Sequence, residues 1–229
     1  LIPAIMHYQS REELNADLAE IVARELAEGV AARGRATLAV PGGTTPGPFL
    51  QALSAWDIPW DKITVMLTDE RFVPESSDRS NTRLIRGTLL QNRAAAARFV
   101  PFYAKGDAPE DVIDDLIADV SAALPLDVCV LGMGEDMHTA SIFPGADRLD
   151  EALSDDAPVL LPMRAPGAPE PRMTLSAPVL RAARALHLLI MGEGKSHALE
   201  AALKEGPASE APVRAVLSAP EPITVHYAD

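Results

Sequence analysis

The sequence predicts an α/β fold, a mostly parallel open sheet with helices on both faces. Two observations predict it. Short apolar runs, several of them partly β-branched, recur at Thr37–Val40, Ile63–Leu67, Leu126–Leu131 and Ala185–Met191, and each ends in a glycine-rich or polar turn. Stretches with helical spacing separate them, and strands alternating with helices bring crossover connections that make neighbouring strands parallel.

Taken in order, Ser10-x-x-Glu13 is a capping box, and Leu14, Leu18, Ile21, Val22, Leu26 and Val30 recur at helical spacing up to Gly34. The strand at Thr37–Val40 runs into Pro41-Gly42-Gly43-Thr44-Thr45-Pro46-Gly47 and a helical stretch over Phe49–Leu53. The strand at Ile63–Leu67 is read as ending in Thr68-Asp69-Glu70-Arg71, with a helix from about Ser80 to Gln91. A helix over Asp111–Ala123 precedes the strand that ends in Gly132-Met133-Gly134-Glu135-Asp136-Met137-His138. The last unit ends in Gly192-Glu193-Gly194-Lys195 and a helix to about Leu203. His7, His187 and His226 fall in predicted strands, and His197 falls on a helix face expected to be exposed.

The chain has 229 residues, 48% of them hydrophobic, enough for a sizeable core; residues 1–229 read as a single α/β domain with an irregular excursion at about 147–171. Acidic residues number 33 against 20 basic, a formal charge of −13. That balance repels nucleic-acid phosphates and anionic membranes, so neither is an expected partner. One cysteine, Cys129, excludes an internal disulfide and any cysteine-rich zinc site. With no export signal at Leu1-Ile2-Pro3 and no membrane-length apolar run, a cytoplasmic location is expected.

In an open α/β sheet the loops after the carboxyl ends of the strands share one edge, where ligands bind. Those loops hold nearly all the suggestive residues. Gly42, Gly43, Thr44 and Thr45 sit between a strand and a helix, a place where free backbone N–H groups attract an anion. The alternative is a plain tight turn. Lys195 follows Gly194 at another helix start, but Leu189 stands where a nucleotide-binding loop needs its first glycine, so a phosphate-facing point charge remains. The alternative there is an ordinary solvated lysine. Gly132-x-Gly134-x-x-Met137 is only a partial dinucleotide pattern.

Asp136 and His138, two apart in an irregular segment, suit general-base work near neutral pH, the alternative being a structural histidine. A metal site would need a third ligand, and no His-x-x-His or Glu-x-x-His pattern supplies one. No Gly-x-Ser-x-Gly elbow supports a serine hydrolase. By strand alternation Asp69 and Arg71 point to one side and Glu70 to the other. The pair is placed to orient a water or clamp an anion, or else it is a structural ion pair. Ser80 reads as a helix cap.

Read together, these segments resemble the 6-phosphogluconolactonase family. The resemblance rests on Pro41–Pro46, on Thr68–Pro74 with Asp78, Ser80 and Asn81, on Leu131–Gly145, and on Pro171-Arg172-Met173-Thr174-Leu175, in the family's order. It implies hydrolysis of 6-phosphoglucono-δ-lactone to 6-phosphogluconate in the pentose phosphate pathway, with no metal or cofactor. It also implies a sheet related to that of glucosamine-6-phosphate deaminase and of the ribose-5-phosphate isomerase type. The partner is then a small phosphorylated sugar lactone, and the protein a monomer or small homo-oligomer. By position His138 matches the family's base, with Asp136, Asp69 and Arg71 beside it. Gly42, Gly43, Thr44, Arg172 and Lys195 fall where the family handles phosphate and hydroxyls.

One departure stands out. The family usually has glycine where this chain has Met137, which raises the question of whether that position has positive φ. Two rival functions remain. A glucosamine-6-phosphate deaminase-like isomerase would continue the histidine loop into Asn-Glu-Pro, whereas this chain continues Phe143-Pro144-Gly145. A sugar-phosphate-sensing binding domain would have little use for a base at His138.

Overall fold

The computed structural model describes residues 3–229. β1 (Ala4–His7) leads into α1 (Arg11–Arg33), β2 (Ala36–Val40), α2 (Gly47–Ser54), β3 (Ile63–Leu67) and a short β4 (Asp69–Arg71). Next come α3 (Asn81–Thr88), β5 (Arg98–Val100), α4 (Ile113–Ala123) and β6 (Val128–Leu131). The second half adds α5 (Leu149–Leu153), β7 (Leu160–Met163), β8 (Arg172–Leu175), α6 (Ala177–Arg181) and β9 (Ala185–Met191). It closes with α7 (Glu193–Ala202), α8 (Arg214–Leu217) and β10 (Thr224–Ala228).

Seven strands form one sheet in the order β1-β10-β9-β6-β2-β3-β5, with every pairing parallel. All residues of β2 and β6 are buried, which requires cover on both faces of the sheet. Part of that cover is α1, whose Leu14, Leu18, Val22 and Leu26 are wholly buried and which packs across β2, β6 and β10. Ser10 caps it by accepting the Glu13 N–H at 3.1 Å, one half of a capping box. No helix among the described residues is long and apolar enough to cross a membrane.

The order of strands locates the site. From β2 the chain moves to β3 on one side, whereas β6 lies on the other side of β2 and is followed outward by β9. The loops leaving β2 and β6 therefore part, and a crevice opens at their carboxyl ends.

A second sheet, β4-β8-β7, is antiparallel. The reading of Thr68–Arg71 as the end of the preceding strand is corrected here, because the chain changes sheets at Thr68. Its N–H still donates to Val40 O (2.9 Å), while its carbonyl accepts from Leu175 N–H (3.0 Å). From there Asp69 pairs with Thr174 and Arg71 with Arg172. The segment 147–171 carries α5 and β7.

Candidate active site

Gly42, Gly43, Thr44, Asp69, Arg71, His138, Arg172 and Lys195 all line one cleft of about 260 Å³ at the carboxyl ends of the parallel strands. The loops after β2, β6 and β9 build it together with the paired strands β4 and β8. Asp136 is outside the lining and stands behind His138.

The loop after β6 is a tight turn. Gly134 N–H donates to His138 O (3.0 Å) and Met137 N–H to Gly134 O (2.9 Å). Asp136 Oδ1 accepts from the His138 backbone N–H (3.0 Å) and lies 2.5 Å from His138 Nδ1. Gly134 makes room for this, since a Cβ there would fall 2.2 Å from Nδ1 and 2.6 Å from the carboxylate. Partial burial pushes the Asp136 carboxyl up, but the hydrogen bonds from the His138 ring and backbone outweigh it and hold the group below the usual carboxylate range. The imidazole packs on Phe143, ring centroids 4.6 Å apart.

Met137 has φ 69, the left-handed conformation anticipated from the family's glycine. Its carbonyl is held by Val213 N–H at 3.0 Å and its side chain packs against the core, so surrounding contacts hold the strained backbone in place. Met137→Ala and Met137→Gly both lose the thioether packing, but only glycine removes the left-handed penalty, about 1 kcal/mol. Urea unfolding should therefore rank Met137→Gly as the more stable of the two variants. The opposite ranking would show that the turn carries no such strain.

On the wall formed by β4 and β8, Arg71 and Arg172 sit directly across the antiparallel pair. Arg71 donates to Arg79 O (2.9 Å), and Glu170 receives Arg79 through both carboxylate oxygens (2.7 and 3.2 Å) and Arg172 at 3.1 Å. The hydrogen bonds from Arg79 hold the Glu170 carboxyl below its usual range. Arg172 is 8% exposed and lies over the Phe143 ring. Burial and the neighbouring Arg71 lower its pKa, while Asp69 and Glu170 act the other way. Among the described residues its Nε has no hydrogen-bond partner. A buried guanidinium with a donor to spare, on the rim of a cleft, is suited to an anion.

Asp69 is buried and accepts from the Thr68 hydroxyl (3.0 Å) and the Ser141 hydroxyl (2.5 Å). Asp136, not Asp69, is thus the carboxylate that touches the imidazole. On the far wall Lys195, in the first turn of α7, donates to Met133 O at 2.6 Å, which ties the loops after β6 and β9 together.

Two contributors escaped the sequence reading. Asn81, placed at a helix start by its cap, lines the cleft and donates from Nδ2 to Asp69 O (3.2 Å). Its amide lies against Gly42, where a Cβ would fall 2.1 Å from the amide carbon. Phe143, seen only as part of a motif, is the shared wall behind His138 and Arg172. Cys129 and the remaining histidines stand outside the cleft lining. Burial pushes the Cys129 thiol up, away from nucleophilic use. His187 and His226 bond each other at 2.9 Å in a buried array with Tyr8 and Glu25. Among the described residues no group of three or more His, Cys, Asp or Glu is arranged to hold a metal ion.

Residues 9–225 match a family model described as glucosamine-6-phosphate isomerases/6-phosphogluconolactonase. The chain is 49% identical over 224 residues to a 6-phosphogluconolactonase of Mesorhizobium japonicum, covering 96% of this chain and 93% of that one. It is 46% identical to one of Rhizobium meliloti, with 98% and 99% covered. Its fold superposes on the crystal structure of a 6-phosphogluconolactonase from Shewanella baltica with a TM-score of 0.96 at 35% identity, over 99% of this chain and 98% of that one.

Proposed function

Because the chain belongs to the glucosamine-6-phosphate isomerase/6-phosphogluconolactonase family and its activity is that of a 6-phosphogluconolactonase, a hydrolase of the pentose phosphate pathway, we propose that His138 is the general base that opens 6-phospho-D-glucono-1,5-lactone to 6-phosphogluconate. One observation carries this reading: the 2.5 Å contact between His138 Nδ1 and Asp136 in a cleft that also holds Arg71, Arg172 and Lys195.

An ionised carboxylate only accepts, so the Nδ1 proton points to Asp136 and Nε2 keeps its lone pair. Nε2 removes a proton from water as the oxygen attacks the lactone carbonyl. Asp136 then stabilises the imidazolium that forms, and that proton returns to the ring oxygen as the carbon–oxygen bond breaks. Charge developing on the carbonyl oxygen is met by Arg71 or by N–H groups of the Gly42-Gly43 turn. Arg172 and Lys195, with Gly42, Gly43 and Thr44, take the phosphate and sugar hydroxyls. Asp69, tied to Thr68 and Ser141, accepts from a sugar hydroxyl. Water, an imidazole and fixed donors suffice, so the sequence of steps calls on no metal or cofactor.

A lactone hydrolysis assay, with spontaneous opening subtracted, should show turnover above background. Run beside it, an ammonia-release assay with glucosamine 6-phosphate should show none. Ammonia release without lactone turnover would place the cleft with the deaminases, and binding without either reaction would make it a sensor.

A further inference from the structure

Glu70 lies between Asp69 and Arg71 on β4 but turns to the other side of the strand, away from the cleft lining. It is wholly buried and accepts four hydrogen bonds of 2.8 Å each. Oε1 receives the N–H groups of Arg71 and Asn81, and Oε2 receives the N–H and hydroxyl of Thr82. Asn81 and Thr82 open α3, where N–H groups lack intrahelical partners and the helix dipole favours negative charge.

Few charged groups surround it. Asp69 and Arg71 on its own strand face the cleft, Met173 opposes it across the small sheet, and among the described residues α3 bonds it through backbone N–H groups and the Thr82 hydroxyl. No salt bridge to Glu70 exists among the described residues. Through Asn81 this one carboxylate reaches two walls of the cleft: the Asn81 amide bonds Asp69 O and lies against Gly42.

We propose that Glu70 is a positioning residue for substrate binding, an ionised cap of α3 that sets where Asp69, Arg71 and the Gly42-Gly43 turn stand in the cleft. The proposal rests on the assignment of this cleft as the lactone site. Burial pushes the Glu70 carboxyl above the ordinary range, and its four hydrogen bonds offset this only in part. It therefore takes up a proton at higher pH than a usual glutamate. Once neutral, it presents a donor to a site built of donors.

The test is the affinity for 6-phosphogluconate of the wild type and of Glu70→Gln, measured by calorimetry from neutral pH down into the acid range. At neutral pH the variant should bind roughly tenfold more weakly, on the scale of one charged hydrogen bond. The ratio of the two dissociation constants should fall toward one as the pH drops, because the wild type itself becomes neutral at Glu70. Ionisation of the ligand phosphate is common to both measurements and cancels in the ratio. A lowered melting temperature with unchanged affinity, or a ratio that does not change with pH, would overturn the proposal. Absence of binding by the wild type would overturn the site assignment and the proposal with it. If Glu70→Gln does not fold, Thr82→Ala removes one donor and raises the pH at which Glu70 protonates. Its affinity should match the wild type at neutral pH and weaken earlier on acidification; coincident pH profiles would sink the idea.

Discussion

Replacing His138 with glutamine should lower kcat by about 10²- to 10⁴-fold, the contribution of a positioned general base, and leave the affinity for 6-phosphogluconate nearly intact. Glutamine keeps a polar group of similar reach and can still donate to Asp136, so the turn from Gly134 to His138 retains its internal bonds. What it lacks is the Nε2 lone pair. Binding persists because the groups proposed to hold the phosphate stand on other elements: Arg172 on β8 and Lys195 on α7. Asp136→Asn is the informative companion. An amide there no longer favours the Nδ1 proton nor stabilises the imidazolium, so kcat should fall while KM stays near the wild-type value. Stopped-flow hydrolysis with the spontaneous rate subtracted measures both variants. Unchanged turnover in the His138 variant would remove the imidazole from the mechanism. A fall in kcat matched by an equal loss of product affinity would mean that the loop had moved instead.

How far the site could be read before the structure follows from which interactions are local. Four of the parallel strands, β2, β3, β6 and β9, were legible because each is short, apolar and closed by a marked turn, whereas β5, three residues opening on exposed Arg98, was not; the crevice follows from the order of the strands. Asp136 and His138 are two residues apart, so their contact needs nothing beyond a tight turn. The alternation that turns Glu70 away from Asp69 and Arg71 was likewise visible, but not what it turns toward. Its partners Asn81 and Thr82 lie beyond a loop, and no pattern in the intervening residues announces the contact. The small antiparallel sheet was the least legible part. β4 has three residues, β7 contains Pro162, and β8 is buried throughout, so none shows the two-residue alternation of a half-buried strand. Arg172 could therefore be named from a motif but not placed opposite Arg71. That the methionine at 137 takes positive φ was foreseeable only by comparison with glycine, since the residue type argues against it.

Removing positive charge from the cleft should separate phosphate recognition from lactone chemistry. A chain of formal charge −13 must gather positive potential locally to hold a phosphorylated anion. The cleft does so with Arg71 and Arg172 on one wall and Lys195 on the other. Lys195→Met is the cleaner substitution, because among the described residues Lys195 makes one hydrogen bond to the protein, to Met133 O. It should raise KM for 6-phosphogluconolactone by about 10- to 100-fold, the worth of a charged hydrogen bond, and leave KM for unphosphorylated glucono-1,5-lactone nearly unchanged. Arg172→Met should act in the same direction with an added cost. It strips a counter-charge from Asp69 and Glu170, so some loss of stability accompanies the loss of binding. Arg79 still holds Glu170 through two hydrogen bonds, which confines that damage to the rim. The two substrates differ only in the phosphate, so the ratio of their KM values cancels any general disturbance of the cleft. Equal effects on both lactones would assign Lys195 and Arg172 to the fold and leave the phosphate to the Gly42-Gly43-Thr44 turn.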